Sequence, residues 1–178
     1  MRFKSILTAS SLAASLLLAV GCGGPKTPPD MPKLQPTTIV ITQEGAPVEG
    51  ASVQLVKPDD LNYKWFAGGL TDAQGRCEIQ THGKYKGAPE GEFAVVVYKT
   101  TTTESETRKN VPLPTDPVAG AEWSRKVAEE ERVFEEIDPK YKKADTTDLR
   151  ITVKSGKNEE TFDVGEKVEV EVEQTTKS

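Results

Sequence analysis

One histidine and two cysteines are all that 178 residues offer of the commonest catalytic and soft metal-binding side chains. That scarcity closes off whole classes of chemistry. A Ser-His-Asp or Cys-His device would have to be built on His82, and one imidazole cannot make a histidine-rich zinc site. No Asp-x-Asp-x-Asp-Gly loop is present, so the tight oxygen-lined turn that calcium favours is missing too. Positive charge is short: 23 Lys and Arg stand against 28 Asp and Glu, a net −5. Such a balance makes a poor partner for nucleic acid or for anionic lipid headgroups. Beyond residue 21 no apolar run approaches the ~20 residues that span a bilayer. No residue pattern calls for a cofactor.

The start of the chain is informative. Arg2 and Lys4 precede an apolar stretch from Ile6 to Val20, closed by Gly21-Cys22. A basic start, an apolar middle and small residues at a cleavage point are the layout of a secretory signal. With Leu17-Leu18-Ala19-Val20-Gly21-Cys22 at its end, it resembles a bacterial lipoprotein signal. The resemblance implies that Cys22 is acylated and becomes the new N-terminus, residues 1–21 being removed. Membrane contact is then through acyl chains, two or more of which anchor stably. An ordinary signal peptide with an incidental cysteine is the plainer reading. Loss of Arg2 and Lys4 would leave 157 residues with a net charge of −7. The implied location is the cell envelope, at the outer membrane or a periplasm-facing membrane surface. Gly23, where an aspartate would retain a lipoprotein at the inner membrane, leans towards the outer one. Cys77 is then the remaining cysteine, and no internal disulfide can form.

Residues 22–36 read as the lipidated cysteine and a tether. Five prolines between 23 and 36 oppose helix and sheet. At ~3.1 Å per residue the segment would hold a domain about 40 Å from the lipid. From Thr37 the pattern becomes period two, as in half-buried strands. Strands are predicted over Thr37–Thr42, Ala51–Val56, Trp65–Leu70, Cys77–Thr81, Phe93–Lys99, Leu149–Lys154 and Glu159–Val164. Phe93–Lys99 is apolar on both faces and therefore central. Thr71–Arg76 is predicted as a hairpin turn, with Gly75 at its left-handed position. Residues 37–164 form the domain. An acidic segment, 165–178, contains a further possible strand, Lys167–Glu173.

Asp116-Pro117 has the form of a helix start, an N-cap followed by proline at the first helical position. The predicted helix runs over about 117–137 and packs an aromatic stripe of Trp123, Val127, Phe134 and Ile137 on a sheet. Polar loops are expected on either side, Thr100–Lys109 and Lys140–Asp148, though Thr100–Thr103 reads equally as strand. Many short strands, Gly/Pro turns and one late helix specify a mainly β chain, an antiparallel β-sandwich with one inserted helix.

Three turn-and-strand pieces carry a family resemblance: Gly45–Ala51, Gly69–Arg76 and Gly87–Phe93. With Ile137-Asp138-Pro139-Lys140-Tyr141 and Asp148-Leu149 after them, they resemble carboxypeptidase regulatory-like, transthyretin-like domains, particularly lipoprotein versions from planctomycete-type bacteria. The resemblance spans about Thr37 to Val164. It implies an Ig-like or transthyretin-like sandwich with a supporting, spacing or binding role rather than catalysis, and a shared fold does not by itself set function. Cys77 departs from the family pattern, which has an aromatic or aliphatic residue there. Related purine-catabolism hydrolases need several histidines, so His82 alone argues against that activity.

Candidate sites are few. His82 is expected to be a loop residue, and Cys77, on the face of Ile79, a small apolar one. Glu129, Glu130, Glu131, Glu135, Glu136 and Asp138 spread around a helix rather than converge on a cation. Tyr63, Trp65 and Phe66 form one aromatic cluster, able to stack on sugar or partner, or to close the end of the core. The expected function is a lipid-anchored, non-catalytic structural or adhesive module contacting an envelope protein. The alternative is a glycan or small-ligand module using Tyr63, Trp65 and Phe66. A hydrolase using His82 or Cys77 ranks below both.

Overall fold

A computed structural model describes residues 27–60 and 62–172. Cys22, the apolar leader and residues 173–178 lie outside the described residues. The strands, in chain order, are β1 (Leu34–Gln35), β2 (Thr37–Gln43), β3 (Ala46–Pro47), β4 (Ser52–Val56), β5 (Ala67–Leu70), β6 (Arg76–Glu78), β7 (Gln80–Thr81) and β8 (Tyr85–Lys86). They continue with β9 (Ala88–Pro89), β10 (Gly91–Tyr98), β11 (Thr100–Thr102), β12 (Val133–Glu135), β13 (Arg150–Val153), β14 (Asn158–Asp163) and β15 (Val170–Glu171). Two helices, α1 (Glu106–Asn110) and α2 (Pro117–Glu130), lie between β11 and β12.

The protein is mainly β, and its two larger sheets sandwich one core. Six antiparallel strands in the order β13-β10-β4-β5-β7-β8 make the larger sheet. Opposite it β2 pairs with β14 on one side and with β3 and β6 on the other. Period-two alternation aims Ile39 and Ile41, Val53 and Leu55, and Ile151 and Val153 into the shared interior. Phe93, Val95 and Val97 of β10 join them, and Ala94 and Val96 on the other face of that strand are also buried. This central strand is buried on both faces, as its unbroken apolar run predicts. Ile137 and Tyr141 close the core from the short 3-10 turn Pro139–Lys142 and its approach, where the Asp138 carboxylate accepts from the Lys140 N–H.

The connections differ from expectation in three places. Thr71–Arg76 has the predicted tight turn, with Gly75 at φ +71° and its N–H donating to Asp72 O at 2.8 Å. It is no hairpin, because β5 belongs to the larger sheet and β6 to the other. The next strand then crosses back at Ile79, β7 pairing with β5, as corner strands do when they switch sheets. Finally, β14 runs parallel to β2 rather than antiparallel to its neighbour. The turn at 155–157 carries the chain from one sheet to the other.

Residues 27–36 are not the free tether expected of them. Met31, Pro32 and Leu34 are half-buried, Gln35 is 2 % exposed, and β1 pairs with β9. The Gln35 side chain holds two distant segments, its Nε2 donating to Glu90 Oε1 at 2.7 Å and its Oε1 accepting from the Gly156 N–H at 2.9 Å. Proline content signals an extended backbone, and here that extended chain is docked.

The inserted helix also ends early. Asp116 caps it as predicted, accepting from the Val118 and Ala119 N–H groups. It stops at Glu130, and Val133–Glu135 pairs with β11 and β15 in a three-stranded sheet of its own. The aromatic stripe therefore splits. Trp123 and Val127 stay on the helix, with Trp123 Nε1 donating to Val111 O at 2.9 Å, while Phe134 is in a strand and Ile137 in the core. The main partner of α2 is α1, a short helix where a polar loop was expected. Thr100–Thr102 is strand, and among the described residues the acidic C-terminal segment contributes β15.

Candidate functional site

The three aromatics do not share a platform. Tyr63 packs towards Phe93, whereas Trp65 and Phe66 both meet the ring of His82. Tyr63 is half-buried, its ring 6.2 Å from that of Phe93, with Lys57 Nζ 4.9 Å above it. Trp65 is 8 % exposed and stacks on His82 at 5.1 Å, with Lys64 Nζ 4.6 Å from its ring centre. Its ring is occupied by its own neighbours. Phe66 alone of the three is open, at 63 % exposure, its ring centre 4.6 Å from that of His82 and the planes 30° apart.

His82 is a positive-φ turn residue, as the following Gly83 suggests, but its ring is packed rather than solvated. Its Nε2–H donates to Lys64 O at 2.7 Å, and Trp65 and Phe66 take the ring. It orders the 64–66 turn. Cys77 is wholly buried between the sheets, and burial, helped by the Asp72 carboxylate, pushes its thiol up to about 12. A thiol so shielded is a poor nucleophile at neutral pH. His82 and Cys77 belong to different surroundings, and no hydrogen bond joins them.

The acidic run disperses over separate elements, each carboxylate with its own partner. Glu129 pairs with Arg125 and Glu131 with Arg108. Glu135 pairs with Lys142, and Glu136 with Lys99 at 3.0 Å. Glu130 binds the start of α1, its Oε2 accepting from the Thr107 N–H and Ser105 Oγ at 2.8 Å and its Oε1 from Thr107 Oγ1 at 2.7 Å. These bonds, the Thr107 N–H foremost, hold its carboxyl down to about 2. Among the described residues no three His, Cys, Asp or Glu side chains are grouped to hold a metal ion.

The outer face of the larger sheet carries an open groove of 430 Å³ along β4 and β5. Phe66 and Leu70 (68 % exposed) stand over it, and the Gln54 and Gln80 amides line it. Gly68 makes its floor: a Cβ there would lie 2.4 Å from Val53 O, so only glycine fits. The signal was Ala67-Gly68-Gly69-Leu70, a strand whose middle lacks side chains between two large apolar ones.

Among the described residues no helix is long and apolar enough to cross a membrane. Comparison of the chain with protein-family models, curated proteins and solved structures found no match.

Proposed function

We propose that this chain is a non-catalytic, lipid-anchored protein of the cell envelope that works by contact with another protein. The observation that carries the contact role is the pair Phe66 and Leu70, both more than 60 % exposed over one groove. Large apolar side chains gathered over a concavity mark interaction surfaces more than scattered ones do. The anchor is supported by the Leu17-to-Cys22 pattern, and a transthyretin-like kinship by the turn motifs and by Ile137 and Tyr141 entering the core around Pro139. The buried thiol of Cys77 and the engaged ring of His82 weigh against a hydrolase.

A second reading has its own observation. Phe66 is an exposed ring with the Gln54 and Gln80 amides in the same groove, the mixture of stacking and hydrogen-bonding surface that a sugar needs. The two readings separate with a photo-crosslinker placed at Leu70 in cells. Protein contact predicts a discrete crosslinked protein, lost on Phe66→Asp and absent with the crosslinker at Lys126 on α2. A glycan array bound through Phe66, with no protein crosslink, would favour the sugar reading. Neither signal would remove the groove as a site.

A further inference from the structure

We propose that the domain lies against an anionic bilayer surface on its lysine-bearing N-terminal edge, rather than standing off on a stalk. This rests on the reading that Cys22 carries the lipid.

Because residues 31–35 are packed on the domain and Asp30 is ion-paired to Lys64, little chain is left to act as a spacer. Only five residue steps separate Cys22 from Thr27. Whatever their conformation, five residues reach at most ~16–18 Å. An anchored Cys22 thus holds this edge within less than one domain diameter of the headgroups.

Thr27 lines an open concavity of 570 Å³ together with Met31, Leu34, Lys33, Lys84 and Lys86. The three lysines are exposed. The chain therefore leaves towards Cys22 from a concavity rimmed by positive charge, on a protein whose net charge is −5. Asp30 is ion-paired with Lys64, and Glu90, next to β9, accepts a hydrogen bond from Gln35. Lysines near a surface of anionic phospholipid are attracted within a Debye length, and their effects add. Met31 and Leu34, half-buried between them, supply apolar surface at headgroup depth.

The test uses the lipidated protein purified from membranes, with its intact mass read in the same preparation. It is reconstituted into phosphatidylcholine vesicles with and without about 30 % phosphatidylglycerol, and lysine acetylation is followed residue by residue. The expected result is severalfold slower acetylation of Lys33, Lys84 and Lys86 on the anionic vesicles, with Lys109 and Lys126 unchanged. About 0.5 M salt should restore the rates. The variant K33Q/K84Q/K86Q, changed only at exposed positions, should fold normally and leave Met31 oxidation equally fast on both vesicle types. Equal acetylation on both vesicle types, or uniform protection of all lysines, would overturn the proposal while leaving the anchor intact. A mass without lipid on Cys22 would overturn the anchor and this proposal with it.

Discussion

The sulfur of Cys77 occupies the space a side chain on Gly69 would need: a Cβ at position 69 would lie 2.9 Å from Sγ. The strand that switches sheets and the strand it leaves thus meet at a glycine and a cysteine, where the family resemblance leads one to expect a larger residue at 77. Gly69→Ala should destabilise the fold by about 1–3 kcal/mol through overpacking. In a Cys77→Ala background the same change should cost less, because the new methyl takes the vacated space. Denaturant unfolding of the four proteins should give a favourable coupling of about 0.5–3 kcal/mol. Additive costs would mean that the contact with Glu78 O, at 3.3 Å, sets the limit instead.

Reactivity of the same thiol is a separate test. With its pKa pushed up to about 12 by burial, Cys77 should resist a thiol reagent at pH 8 in the native protein and react at once in denaturant. Rapid native labelling would restore it as a candidate nucleophile.

Glu130 should make the start of α1 acid-sensitive. Its folded pKa is about 2 against an ordinary 4.5. A lowered carboxyl pKa stabilises fully above the unfolded value and loses that contribution as pH falls from about 4.5 towards 2. Protection of the Thr107 and Arg108 amides, taken as exchange relative to the intrinsic rate at each pH, should therefore fall across that window. In Glu130→Gln the loss of protection should already be present at pH 7 and should change little with acid. An acid response unaltered by the substitution would place the sensitivity elsewhere.

Gln35 offers a test of the docked N-terminal segment. Gln35→Ala removes a buried side chain with two hydrogen bonds, one of them to the charged Glu90, and should cost about 1–3 kcal/mol. The denaturant midpoint should fall with an unchanged slope. A change below about 0.5 kcal/mol, the range of ordinary surface substitutions, would show that the segment is not part of the folded unit.

The two neighbouring aromatics should part company. Trp65→Ala empties a core position and should cost about 3–5 kcal/mol, whereas Phe66→Ala and Leu70→Ala should stay within about 0.5 kcal/mol of the parent. Thermal unfolding of the three variants distinguishes them. Loss of ligand or partner by Trp65→Ala would therefore report folding, and only Phe66 and Leu70 probe the surface.

Local pattern carried much of this structure. The alternation in Thr37–Thr42 and Ala51–Val56, the double apolar face of Phe93–Val97 and the Asp116-Pro117 cap each appear where side-chain chemistry demands them. What stayed hidden is what alternation cannot encode. Period two says which face of a strand is buried, but not whether β14 runs parallel or antiparallel to β2, nor that Cys77–Thr81 serves two sheets in turn. The helix end at Glu130 depends on a carboxylate drawn to α1, a contact across more than twenty residues of chain. For the candidate site, Tyr63, Trp65 and Phe66 read as one cluster by composition. Composition does not say which ring is buried: Trp65 is, and Phe66 is open. Docking of residues 31–35 was invisible because Pro89 and Ala88, their partners, lie more than fifty residues on.

Lipid attachment at Cys22 underlies the proposed location and role, so the most direct measurement is the intact mass of the protein purified from native membranes. The account predicts a chain beginning at Cys22 and carrying a diacylglyceryl group. A chain that retains residues 1–21, or one released from the membrane with an unmodified Cys22, would contradict it.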